Sequence, residues 1–196
     1  KKNDYGYAVL GWYYELGNGV KQDYNKAYEY YKNSADLNNP WAYAQLAYFH
    51  EYSLGDIPWD LEKAFNFTKK ASELGDADGT FRLGEYYLRG IGTDNNYKKS
   101  FEIFSDLSEF NNRADTQFYL GYQYFLGLGV ERNIEKGIYW YERSASTYDY
   151  AKEELVMVYG THEPEKKIFN SIYLTYIENY RIHEHLYGPD RKIEED

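Results

Sequence analysis

Leu10-Gly11-Trp12-Tyr13-Tyr14-Glu15-Leu16-Gly17-Asn18-Gly19-Val20 is the stretch whose reading decides the fold. Leu120-Gly121-Tyr122-Gln123-Tyr124-Phe125-Leu126-Gly127-Leu128-Gly129-Val130 repeats its frame, Leu-Gly-x-x-Tyr-x-x-Gly-x-Gly-Val, without a gap. Leu83-Gly84-Glu85-Tyr86-Tyr87-Leu88-Arg89-Gly90-Ile91-Gly92 keeps all of it but the Val, and Leu46-Ala47-Tyr48-Phe49-His50 is a looser copy. The leading leucines stand at 10, 46, 83 and 120, so the period is 36, 37 and 37 residues. A period in this range marks a solenoid built from small supersecondary units, each stacked on its neighbours.

Each unit has a second half. Lys26-Ala27-Tyr28-Glu29-Tyr30 lines up with Lys63-Ala64-Phe65-Asn66-Phe67, Lys99-Ser100-Phe101-Glu102-Ile103 and Lys136-Gly137-Ile138-Tyr139-Trp140. This gives a small column (Ala27, Ala64, Ser100, Gly137) and a large column (Tyr30, Phe67, Ile103, Trp140), a combination that lets helices interdigitate. In the first half, Gly6, Leu10, Gly11 and Tyr14 share one helical face. Mid-helix glycine costs about 1 kcal/mol against alanine, so its return at Gly11, Gly84 and Gly121 implies close approach by another element. The Gly-x-Gly that follows supplies the positive φ that ends a helix. The expectation is an all-α chain of antiparallel helix pairs. The units run over about 4–39, 40–75, 76–111 and 112–147, followed by a degenerate unit over 148–163. The stripe Ile168, Phe169, Ile172, Tyr173, Tyr176, Ile177 and Tyr180 predicts a capping helix over 164–187, with a charged tail at 188–196 and a single domain over 1–187.

Composition narrows the function classes. The chain has 196 residues, 26 of them Tyr, is 20% aromatic and carries a net charge of -10. It is too aromatic to be disordered. Its acidity opposes a nucleic-acid or anionic-membrane partner, both of which need a basic footprint, and permits a basic protein. There is no Cys, which excludes disulfides and thiol chemistry. No run reaches the roughly 18 apolar residues of a membrane span. Neither the compartment nor a removed leader segment can be read from the residues.

With these motifs in register, the chain resembles the Sel-one-like repeat family, relatives of the tetratricopeptide repeats. The first unit matches that family's pattern at Leu10, Gly11, Tyr14, Gly17, Gly19, Val20, Asp23, Lys26, Ala27, Tyr31 and Ala35. The fourth matches at Leu120, Gly121, Tyr124, Gly127, Gly129, Val130, Lys136, Trp140, Tyr141 and Ala145. The departures are a longer second turn with Pro58, and Val156 in place of Gly. The resemblance implies a right-handed α-α superhelix of four to five repeats that acts as a monomeric adaptor, holding a protein or peptide on its concave face.

On that resemblance the groove is lined by each first helix. It nominates Tyr5, Trp12 and Glu15, then Trp41, Tyr48 and Glu51, then Phe81 and Glu85, then Phe118, Tyr122 and Phe125. Aromatic platforms beside carboxylates suit a peptide with apolar and basic side chains. The competing expectation is that several of these aromatics are core. His50 takes the place of Tyr14 and reads as a packed residue. His162, His183 and His185 lack metal-ligand spacing, so no metal and no cofactor is expected. The Gly-x-Gly turns follow helices, not strands, which denies them a dinucleotide role. No paired carboxylates or nucleophile setting are visible. The expected function is a non-enzymatic interaction module. The alternatives are an inhibitor or immunity-type protein that blocks a basic enzyme, and an open-groove hydrolase.

Overall fold

A computed structural model describes residues 3–110, 113–145, 148, 150–153 and 155. The expected capping helix and tail, and most of the degenerate unit, lie outside the described residues. The rest falls into two compact units, one ending at Asn95 and the other starting at Asn96. The first holds α1 (Asp4–Leu16), α2 (Tyr24–Ala35), α3 (Pro40–Tyr52), α4 (Leu61–Glu73) and α5 (Ala77–Arg89). The second holds α6 (Tyr97–Phe110), α7 (Ala114–Leu126) and α8 (Ile134–Ser144). Among the described residues the structure is all-α.

Each boundary has a local cause. Asn3, Asp23, Asn39, Asp60, Asp76 and Asn133 cap their helices by accepting from a backbone N–H three residues on. The first helices α1, α5 and α7 end on Gly17, Gly90 and Gly127 at φ 71°, 72° and 75°, the left-handed region where a Cβ is strained. The longer second turn ends α3 differently. Ser53 takes the left-handed position at φ 50°, and its hydroxyl donates to the Ile57 carbonyl at 2.9 Å. The carbonyls left over at these helix ends also recur in register: Gln22 Nε2 donates to Glu15 O, Asn95 Nδ2 to Leu88 O and Arg132 Nε to Phe125 O.

The glycine column has the purpose expected of it. A Cβ on Gly11 would lie 2.9 Å from the Tyr31 ring of α2, and one on Gly121 would lie 2.7 Å from the Tyr141 ring of α8. Each glycine is the seat of a tyrosine from its paired helix. The large column is therefore displaced by one residue from the sequence expectation. The fully buried column is Tyr31, Thr68, Phe104 and Tyr141, whereas Tyr30, Phe67, Ile103 and Trp140 are half-buried. The small column Ala27, Ala64, Ser100 and Gly137 is buried throughout.

Successive pairs stack through two further contacts. Phe49 of α3 packs its ring against Tyr24, Tyr28 and Tyr31 of α2. The turn that follows each first helix sits on the start of the preceding second helix. A Cβ on Gly92 would collide with the Leu61 carbonyl, one on Gly129 with the Tyr97 carbonyl, and one on Gly55 would crowd Tyr24 and Asn25. Asn25 also clasps that turn, accepting from Asp56 N–H at 2.9 Å and donating to the Asp56 carboxylate.

The leucine column tests this packing. Leu46 and Leu120 are 2% and 1% exposed, but Leu10, in the same column on α1, is 40% exposed. Leu120→Ala is expected to cost about 2–5 kcal/mol in urea unfolding, as for a core truncation. Leu10→Ala is expected to cost under about 1 kcal/mol. Equal losses would show that the column does not pack as described.

Candidate functional site

In the first unit the nominated residues lie on α1, α3 and α5, the first helix of each pair. Glu15 is half-buried at the end of α1, and its carboxylate accepts from the Tyr31 hydroxyl at 2.5 Å. Burial pushes the Glu15 carboxyl up, and the tyrosine hydrogen bond holds back part of that rise. The Tyr31 hydroxyl is itself pushed far up, first by burial and then by Glu15, so it is a permanent donor. On α3, Glu51 accepts from two residues of α5. Arg82 Nη1 lies 2.5 Å and Tyr86 Oη 2.5 Å from the same oxygen, Glu51 Oε2. Burial works against the Arg82 charge, but the Glu51 carboxylate outweighs it and keeps the guanidinium protonated.

The aromatic part of this face adjoins the ionic part. The Arg82 guanidinium lies over the Tyr48 ring, 5.9 Å from its centroid, and the Tyr48 and Tyr52 rings are 4.5 Å apart. Burial raises the Tyr48 hydroxyl, and the Glu15 and Glu51 charges raise it further, so both carboxylates reach the same ring electrostatically. The Tyr52 hydroxyl is pushed up to about 12, by burial first and then by Glu51. Trp41 presents its edge to Tyr31, with centroids 6.0 Å apart.

The nominated residues separate by exposure. Tyr5 and Trp12 are 66% and 39% exposed. Glu15, Trp41, Tyr48, Glu51, Phe81 and Glu85 are half-buried. Glu85 pairs with Arg89 one turn on, at 3.3 Å. Phe118, Tyr122 and Phe125 are a correction, because all three are buried within the second unit. Phe118 packs on Tyr119, Tyr141 and Tyr148, and Phe125 on Tyr141. The positions that face outward in the first unit are core in the second, where almost all of α7 is buried.

Two features of the site escaped the sequence reading. Arg82 and Tyr86 stand two residues either side of Gly84, and the nominated row uses other offsets. Tyr31 was placed in the motif, but only as a match, not as the donor to Glu15. The available signal was that a carboxylate recurs four residues after the small column, at Glu15 and Glu51, where each needs a donor if half-buried.

His50 is a packed residue rather than a ligand. It is buried, with Nδ1 3.1 Å from the Pro58 carbonyl and Nε2 3.0 Å from the Tyr28 hydroxyl. A carbonyl can only accept, so Nδ1 carries the proton and Nε2 accepts from Tyr28 in the neutral ring. Burial lowers its pKa first of all; Lys63 lowers it too, while the Pro58 bond and Asp60 oppose the fall. Among the described residues no group of three or more His, Asp or Glu is placed to hold a metal ion. No described helix is long and apolar enough to cross a membrane.

The geometry agrees with what the chain is similar to. The Sel1 repeat matches residues 5–39, 42–76, 77–105 and 114–146, and the chain belongs to the Sel1 repeat family. A curated relative, an uncharacterized Sel1-like repeat-containing protein of Schizosaccharomyces pombe, is 27% identical over 107 residues. That match covers 52% of this chain but only 15% of the relative. Among solved structures, a Sel1 repeat protein from Oxalobacter formigenes aligns with a TM-score of 0.71 at 24% identity, over 92% of this chain and 73% of its own. The protective antigen c5321 of uropathogenic Escherichia coli, which displays an SLR fold, aligns with a TM-score of 0.72 at 25% identity. That alignment covers 94% of this chain and 40% of the antigen. The fold is thus the all-helical Sel1-repeat solenoid.

The neutral His50 has a pH consequence. Its pKa in the fold lies below the unfolded value of about 6.5, so unfolding takes up a proton as pH falls below that value. Its contribution is full above pH 6.5 and is lost on acidification. The urea midpoint is expected to drop between pH 7 and 5.5, and to drop less in His50→Gln, which keeps a donor and an acceptor but cannot titrate. Parallel curves for the two proteins would remove His50 from the explanation.

Proposed function

We propose that this chain is a non-enzymatic interaction module that holds a basic protein or peptide on the first-helix face of its first unit. This face is the concave side that the family resemblance implied. Sel1 repeat proteins generally mediate protein–protein interaction and act as non-enzymatic scaffolds. The observation that carries the finer reading is the Glu15–Tyr48–Glu51 cluster. Two half-buried carboxylates are fixed by tyrosine donors beside aromatic rings, with the exposed Trp12 and Tyr5 on the neighbouring helix.

Fixed side chains lose little entropy on binding, which favours specific recognition over a loose acidic surface. Each carboxylate retains acceptor capacity, because the described bonds to Glu15 and Glu51 each use a single oxygen. A lysine or arginine from a partner would find aromatic faces for its stem and a carboxylate for its head. The Arg82 guanidinium on Tyr48 is an internal example of that arrangement. The proposed surface stops at Glu85, since Phe118, Tyr122 and Phe125 are core.

A hydrolase needs a shifted acid next to a base or nucleophile. Glu15 is shifted, but it is bonded to a tyrosine held neutral by burial, and the His50 ring is committed to Tyr28 and Pro58. The interaction reading therefore stands ahead of the enzymatic one.

The test is a pull-down from lysate of the source organism, read by mass spectrometry. Wild type is compared with a Trp12→Ala/Tyr48→Ala variant shown by circular dichroism to be folded. A basic protein captured by wild type and reduced at least tenfold in the variant is the expected result. Equal capture by both proteins would move the interface off this face.

A further inference from the structure

We infer that the outer face of α1 is a second docking surface, and that its occupant is the terminal second helix of another Sel1-type array, joining two arrays end to end. Most of the exposed large apolar residues among the described ones cluster in the first twenty positions, including Leu10, Tyr13, Leu16 and Val20. Soluble proteins seldom leave such a cluster uncovered without a use for it.

Register identifies what the cluster fits. Leu10 and Tyr13 of α1 correspond to Leu46 and Phe49 of α3. Those two residues are buried, and Phe49 is covered by the α2 rings Tyr24, Tyr28 and Tyr31. The turns agree. Gly55, Gly92 and Gly129 each press on the start of a preceding second helix, whereas a Cβ on Gly19 would meet nothing within 4 Å. The α1 end therefore repeats, column by column, an interface formed elsewhere in this chain. A complementary helix begins over Gly19 and carries an aromatic stripe spaced like Tyr24, Tyr28 and Tyr31, with a small residue at the place of Ala27.

A second copy of this chain is poorly suited to supply that helix. Its α2 and α4 are already packed by the first helix that follows each, and α6 by α7. The α8 helix is followed by a further helical stretch in which Ala151 is buried. The occupant is therefore a different array that ends on its second helix.

The probe is a synthetic peptide of residues 21–38, hydrocarbon-stapled between positions 29 and 33, both of which face solvent on α2. It is titrated into the full chain and followed by tryptophan fluorescence, since the Trp12 and Tyr13 ring centroids are 5.6 Å apart. Saturable binding is expected, weakened at least tenfold by Tyr13→Glu and by Leu16→Glu and unchanged by Tyr139→Glu on α8. Both α1 variants change exposed residues and are expected to melt with wild type; should one unfold, the other carries the test. No saturable binding, or equal binding to wild type and the folded α1 variants, would overturn the inference. So would concentration-dependent dimerisation of the chain abolished by Tyr13→Glu, which would give the face to a second copy. The Trp12→Ala/Tyr48→Ala pull-down is independent of this result, because Tyr48 lies on α3.

Discussion

The seating of a tyrosine ring on a helical glycine is the contact on which the rest depends. Tyr31 lies over Gly11 and Tyr141 over Gly121, each where a Cβ would intrude. The intrinsic helix preference for alanine at these positions is worth about 1 kcal/mol. It is set aside because a fully buried tyrosine contributes more than that through its burial alone, about 1.5–3 kcal/mol on the scale for large side chains. Once the ring is seated, the two helices of a pair are fixed in distance and register. The Gly-x-Gly turn then brings the next backbone onto the preceding helix, and the pairs stack.

The same contact prepares the candidate site. The Tyr31 ring that fills the gap at Gly11 also extends its hydroxyl to Glu15, one turn along α1. Packing and recognition are thereby linked: the residue that spaces the helices also orients a carboxylate. In the second unit the corresponding ring, Tyr141, meets Phe125 at the position equivalent to Glu15, and that position is core. One scaffold thus yields a polar face in one unit and an apolar interior in the other, according to the residue four positions after the glycine.

Much of the fold was legible because it is written several times. The leucine, glycine and small-residue columns recur, and the recurrence separates signal from accident. The buried tyrosine column was misplaced by one residue, because Tyr30 and Tyr31 are adjacent and both aromatic, so composition could not say which one points inward. The site was less legible. Glu51 was nominated, but its partners Arg82 and Tyr86 come from the next pair, 31 and 35 residues on. Phe118, Tyr122 and Phe125 occupy the same offsets as exposed residues of the first unit, and offset alone does not report what covers them.

The most direct test of the central contact is a double-mutant cycle by urea unfolding with Gly11→Ala and Tyr31→Thr. The second unit already carries a counterpart pairing by register, Ala47 with Thr68, both fully buried. Gly11→Ala alone is expected to destabilise by about 1–3 kcal/mol through overpacking. In the Tyr31→Thr background it should be neutral or stabilising, giving a coupling of at least about 1 kcal/mol. Additivity within about 0.5 kcal/mol would mean that the tyrosine does not sit on the glycine, and the spacing of the pairs would need another cause.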